Sequence, residues 1–244
     1  MSILRHPALI LTAHGSADPR SAETTHAVAG QIRRLRPWLD VRVAFCERSE
    51  PNLRDVLAGL DRPGVVTPLL LASAYHARID IPAMMDEAKV PVLQAETLGE
   101  DARLIEVLRA RIADLDVDRH CGETGVLVVA VGSSHPAANA RTATVVDALA
   151  PGTGWAGVRV AHATSPELSV ADGIADLRRL GARRVVLAPW FIAHGLITDR
   201  VAAVAADSGV VMAEPLGAHP LLAATVLDRF DAVVERAVAA RKAA

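Results

Sequence analysis

Apolar residues in this chain follow two alternating rhythms. Short continuous runs rich in valine, leucine and isoleucine occupy residues 8–13, 41–46, 65–71 and 90–95, then 126–131, 158–163, 184–190 and 209–213. Between them lie longer segments with apolar positions at helical spacing, near 20–36, 51–60, 82–88 and 99–114, then 137–149, 168–180, 198–207 and 218–241. Runs that are apolar throughout predict strands buried on both faces, and helices between such strands predict parallel crossovers. Pro19, Pro51, Pro82 and Pro136 fall near the predicted helix starts, where proline is tolerated. The expected fold class is α/β.

The pattern occurs twice. "LILTAHGSADPR" (9–20) and "VLVVAVGSSHPA" (126–137) share one rhythm: Gly15 falls on Gly132 and Pro19 on Pro136, each 117 positions on. "VRVAF" (41–45) meets "VRVAH" (158–162) at the same offset, and "ETLGEDARLIEVL" (96–108) meets "EPLGAHPLLAATV" (214–226) at 118. The chain is read as two copies of one unit. Each copy predicts a lobe made of a four-stranded parallel sheet with helices on both faces. The lobes are expected at 1–116 and 124–244, joined by the polar stretch "DLDVDRHCGETG" (114–125). The last helix is long enough to pack back on the first lobe.

Composition narrows the function. The chain has 244 residues, 51% hydrophobic, which suffices for a large core or two smaller ones. A net charge of −2 and the lack of any basic run beyond two residues disfavour nucleic acid and anionic membranes as partners. Aromatic residues make up only 3%, too few for base-stacking surfaces. No apolar run reaches the roughly 20 residues of a spanning helix, and the first residues lack a signal-peptide pattern. The expectation is a cytoplasmic protein. Cys46 and Cys121 form no metal spacing and are expected as free thiols.

Ligands of parallel α/β sheets bind outside the carboxyl ends of the strands. In the first copy those ends carry His14, Glu47 and His76, in "LILTAHG", "VAFCERSEPNL" and "PLLLASAYHARIDIP". Two imidazoles and a carboxylate suit a borderline divalent ion such as Fe²⁺, Co²⁺, Ni²⁺ or Zn²⁺. In the second copy Val131 replaces His14 and Thr164 replaces Glu47. The loop "PWFIAHGLITDRV" is two residues shorter from Pro to Asp than its counterpart and leaves His194 without a clear match to His76. The expectation is one chemically equipped lobe and one degenerate lobe. His135, His162 and His194 are read as structural or lining residues, and Glu50 as favouring the start of the next helix.

Together these stretches resemble the sirohydrochlorin chelatases, the class II, ATP-independent tetrapyrrole chelatases, in their long, internally duplicated form. The resemblance implies a lyase that inserts a divalent metal, Fe²⁺ or Co²⁺ with Ni²⁺ as a further candidate, into sirohydrochlorin for sirohaem or cobalamin biosynthesis. It further implies a cleft between two lobes, a monomer and no organic cofactor. His14 and His76 carry over as catalytic, metal-binding histidines, and Glu47 as their acidic partner. The substrate's carboxylates need donors. The backbone N–H groups from Ser16 to Arg20 at a helix start supply one such site, and Arg20, Arg48 and Arg78 are candidate clamps. The chain lacks the histidine-rich tail and cysteine cluster of some relatives. A non-enzymatic metal or tetrapyrrole carrier on the same fold is the alternative. A histidine-phosphatase-like hydrolase fits less well, because Ala13 stands where that chemistry needs an arginine.

Overall fold

The computed structural model of the chain describes residues 6–72, 79–133, 135–164 and 169–243. The first repeat runs β1 (Ala8–Ala13), α1 (Pro19–Leu35), β2 (Val41–Phe45), α2 (Leu53–Ala58), β3 (Gly64–Pro68), α3 (Ile81–Met85), β4 (Val92–Gln94) and α4 (Ala102–Ala113). The second runs β5 (Thr124–Ala130), α5 (Pro136–Leu149), β6 (Gly157–His162), α6 (Val170–Arg179), β7 (Arg184–Pro189), α7 (Leu196–Asp207), β8 (Val211–Met212) and α8 (Pro220–Ala243). Both sheets are four-stranded and parallel, in the orders β2-β1-β3-β4 and β6-β5-β7-β8. The predicted runs 90–95 and 209–213 shorten to β4 and β8. Each of these is an edge strand that pairs with only two or three residues of its neighbour. Among the described residues no helix is long and apolar enough to cross a membrane.

Alternation along the strands sends side chains to two faces. In the first sheet Ala8, Ile10, Ala44, Cys46 and Val66 pack with Leu53 and Leu57 of α2 and with Ile81 of α3. In the second, Leu127, Val129, Ala161, Val185 and Leu187 pack with Ile174 and Leu177 of α6 and Val201 and Ala205 of α7. The remaining helices cover the opposite faces. Local signals set the helix starts: Asp18, Asn52, Asp101 and Ser169 cap α1, α2, α4 and α6 by accepting a backbone N–H, and Pro19 and Pro136 open α1 and α5.

Packing divides the chain differently from the expected lobes 1–116 and 124–244. One compact unit comprises residues 1–99 and 218–244, the other 100–217. Helix α8 packs on α1 and β3, and α4 packs on α5 and β7. The repeats have exchanged their last helices. The chain crosses at Gly99 and Gly217, both at φ 65°, a left-handed conformation that glycine adopts without strain. Each exchanged helix brings an arginine to the crossing loop of the unit it joins. Arg111 donates from Nε and Nη2 to the carbonyls of Pro215 and Leu216, at 3.1 Å each. Arg229, 118 positions later, donates to the carbonyls of Thr97 and Leu98 at 3.2 and 2.9 Å. Helical periodicity marks an apolar face but not the sheet it covers, so sequence alone places only the long α8 on the first lobe.

One buried position distinguishes the cores. His162, at the end of β6, is 3% exposed, and its Nε2 has no hydrogen-bond partner among the described residues. In the first repeat the same position is Phe45, fully buried, with the ring of His26 edge-on at 6.0 Å. Burial holds the His162 pKa below the usual 6.5, so the neutral ring is the folded form.

Two outcomes follow. Replacing either Arg111 or Arg229 by alanine strands two carbonyls and should cost about 1.5–3 kcal/mol in urea unfolding. Because the His162 pKa is depressed on folding, the unfolded chain takes up the proton first. Its stability contribution is complete above about pH 6.5 and is lost below it. His162→Phe, which installs the side chain of the first repeat, should therefore flatten the fall in melting temperature between pH 7 and pH 5. The slope removed is at most one proton's worth, about 1.4 kcal/mol per pH unit. Equal slopes in parent and variant would refute this account.

Candidate active site

His14 follows β1 directly and Glu47 lies two residues past β2. The pairing of these strands continues beyond their ends: Cys46 N–H donates to the Ala13 carbonyl and Glu47 N–H to the His14 carbonyl, both at 3.0 Å. Gly15 then turns at φ 93° against the end of β2. A Cβ there would lie 1.7 Å from the Glu47 carbonyl oxygen, so no other residue fits. The Ser49 hydroxyl fastens the turn, accepting from Ser16 N–H at 3.1 Å and donating to the Ser16 carbonyl at 2.9 Å. The Ser16 hydroxyl in turn accepts from Asp18 N–H at 3.0 Å, just before α1 begins.

This backbone brings His14 Nε2 to 3.2 Å from Glu47 Oε1, with the side chains 38% and 46% exposed. A divalent ion with nitrogen and oxygen ligands at roughly 2.0–2.2 Å holds adjacent donors about 3 Å apart, so the pair has the spacing such an ion needs. Both donors are open to solvent, as exchange of a hydrated ion requires. Arg48, itself at φ 59°, places Nε 3.1 Å from the same Glu47 oxygen. Glu47 is therefore shared between an imidazole and a guanidinium. Cys46 turns to the opposite side, into the buried cluster with α2. Its thiol is pushed up to about 11, by burial first and then by Asp80 and Glu47, so it is neutral and a poor ligand at physiological pH.

Other expected residues take different places. Ser16 spends its backbone and hydroxyl groups on the turn. Arg20, expected as a carboxylate clamp, is braced on Asp18, with Nε 3.0 and 3.2 Å from its two oxygens. The cause is local: Asp18 is the α1 cap, and Arg20 is the next residue whose side chain can fold back on it. The Glu50 carboxylate accepts from Asn52 N–H at 3.0 Å, at the start of α2. His76 and Arg78 lie outside the described residues. Among the described residues, no three His, Cys, Asp or Glu side chains gather closely enough to hold a metal.

The second repeat keeps the turn and loses the donors. Ala163 N–H donates to the Ala130 carbonyl at 2.8 Å and Thr164 N–H to that of Val131 at 3.0 Å. Gly132 turns at φ 89°, where a Cβ would lie 2.9 Å from that of His162. Asn139 of α5 fastens Ser133 at both N–H and carbonyl, each at 2.8 Å, as Ser49 fastens Ser16. At the two chemical positions stand Val131, 40% exposed, and Thr164, whose hydroxyl donates to the Val131 carbonyl at 2.8 Å. His135 occupies the cap position of α5 without a side-chain cap bond. His194 meets Glu214, with Nε2 and Oε2 2.7 Å apart, a pairing that sequence reasoning missed because the two lie on separate loops.

Comparison with known proteins identifies relatives of the whole chain. A sirohydrochlorin ferrochelatase of Priestia megaterium is 27% identical over 206 residues, covering 80% of this chain and 76% of that protein. A sirohydrochlorin cobaltochelatase of the same organism is 25% identical over 204 residues, covering 79% of this chain and 66% of that protein. SirB from Bacillus subtilis, solved with Fe³⁺, has the same fold: TM-score 0.76 at 19% identity, over 93% of this chain and 95% of SirB. The CbiX family model matches twice, over residues 8–115 and 125–233. With both repeats matched, the chain belongs to the CbiX family.

Proposed function

We propose that this chain is a sirohydrochlorin chelatase: an ATP-independent lyase that inserts a divalent metal, Fe²⁺ or Co²⁺, into sirohydrochlorin. The observation that carries the reading is the asymmetry between two matched repeats. One places His14 Nε2 3.2 Å from Glu47 Oε1 at the carboxyl edge of its sheet, and the other keeps the same backbone turn with Val131 and Thr164. The relatives support the substrate, being named for iron in one case and cobalt in the other. The donor set is compatible with both ions.

Insertion replaces two pyrrole N–H protons by one M²⁺. His14 and Glu47 hold the incoming ion with few protein ligands, so the ion is free to leave for the macrocycle. We assign His76 as the further histidine of this site. Once the ion has moved, neutral imidazole and carboxylate are the groups to receive the released protons. The Arg48 guanidinium offsets the negative charge of the site, so that Glu47 does not bind the ion too firmly to release it. We assign Arg48 and Arg78 to the substrate's carboxylates as well. Two repeats in one chain support a monomer, and a biosynthetic role supports a cytoplasmic place. The family match leaves the histidine-phosphatase alternative without support.

The test is metallation of sirohydrochlorin by Fe²⁺ and by Co²⁺ without ATP, followed by absorbance. Many turnovers per chain are expected; uptake that stops at one equivalent would mark a carrier instead. His14→Ala should keep the fold, by circular dichroism, and lower the rate by about 100-fold or more. Near-parental turnover would remove His14 from the reaction. Val131→His should not create a second centre, because Thr164 still stands where Glu47 is needed. Turnover per chain should stay at the parental value, and a doubling would show that one histidine suffices.

A further inference from the structure

The second repeat's His–Glu pair sits elsewhere on the sheet. His194 lies between β7 and α7, and Glu214 lies two residues past β8, so both are at the carboxyl edge of their sheet. The loops that carry them are stitched together. Leu216 N–H donates to the Phe191 carbonyl at 2.9 Å and Gly217 N–H to that of Ile192 at 2.8 Å. Arg111 braces the Glu214 loop through two carbonyls. The Thr198 hydroxyl braces the His194 loop, accepting from Gly195 N–H at 2.8 Å and donating to its carbonyl at 2.7 Å. The pair is therefore preorganised by backbone on both sides.

Its chemistry is that of a cation site. Imidazole nitrogen and carboxylate oxygen are 2.7 Å apart, and an opening of a few tenths of an ångström gives the separation of adjacent ligands on a divalent ion. His194 is 38% and Glu214 69% exposed, so both donors can be reached by a hydrated ion. Among the described residues no lysine or arginine pairs with Glu214, in contrast to Glu47 beside Arg48. With a neutral imidazole the pair carries an uncompensated negative charge. We infer that His194 and Glu214 form a second site for a borderline divalent ion, one that exchanges quickly because two protein donors leave most of its coordination sphere to water. Its existence does not depend on the chelatase reading; a use in collecting the ion for insertion does.

The experiment is calorimetric titration of the full chain with Co²⁺ at pH 7.5, without tetrapyrrole, for the parent, His14→Ala, His194→Ala, Glu214→Gln and the double variant His14→Ala/His194→Ala. The parent should bind two ions per chain, each single histidine variant one, and the double variant none. Glu214→Gln keeps a hydrogen-bonding partner for His194 but removes the charge, and should weaken the His194-dependent event at least tenfold. Co²⁺ binding in His194→Ala and Glu214→Gln that matches the parent's would overturn the proposal. A failure of the chelatase reading would instead delete the His14-dependent event and leave the His194-dependent one in place.

Discussion

A carbonyl oxygen that leaves no room for a side chain governs the first repeat's site. The Glu47 carbonyl faces Gly15 so closely that only hydrogen fits, and this proximity locks the residue before the turn onto the end of the neighbouring strand. His14 and Glu47 meet because their backbones have no alternative. The second repeat shows that the constraint is separable from the chemistry. Gly132, Val131 and Thr164 reproduce the turn and its backbone hydrogen bonds without an imidazole or a carboxylate. The scaffold is retained where the donor side chains are not, because the turn also ends a strand and starts a helix.

Charge is distributed to the same end. Arg48 lies on Glu47, Arg20 on Asp18, and Arg111 and Arg229 on backbone carbonyls. Most of these guanidiniums serve the frame around the strand ends. Of these four, Arg48 is the one that lies on the His14–Glu47 pair, where it offsets the charge of the carboxylate. Glu214 has no such moderator among the described residues, and the two His–Glu pairs differ in this respect more than in their spacing.

Much of this was legible in the sequence. Eight apolar runs and a near-constant offset disclosed two parallel sheets, and the strand-end rule singled out His14 and Glu47. Other features were hidden for physical reasons. The proximity of Arg20 to the site was visible, whereas its fold-back onto Asp18 depends on the cap geometry. His194 and Glu214 are 20 positions apart on different loops, and only the backbone bonds between those loops bring them together. Arg111 and Arg229 are repeat-equivalent, yet an arginine in a helix reads as a surface charge until the carbonyls it reaches are known.

The exchange of α4 and α8 bears on how such a chain arises. A single repeat that folded alone would have to turn its own last helix back onto its own sheet, in place of the exchanged helix that covers it here. Two separate copies could instead trade helices, an association that depends on concentration. Joining them end to end turns the trade into an intramolecular event at high effective concentration. Once that is so, assembly no longer constrains the chemistry of each copy, and one of them is free to lose its histidine and glutamate while remaining indispensable as a partner in folding.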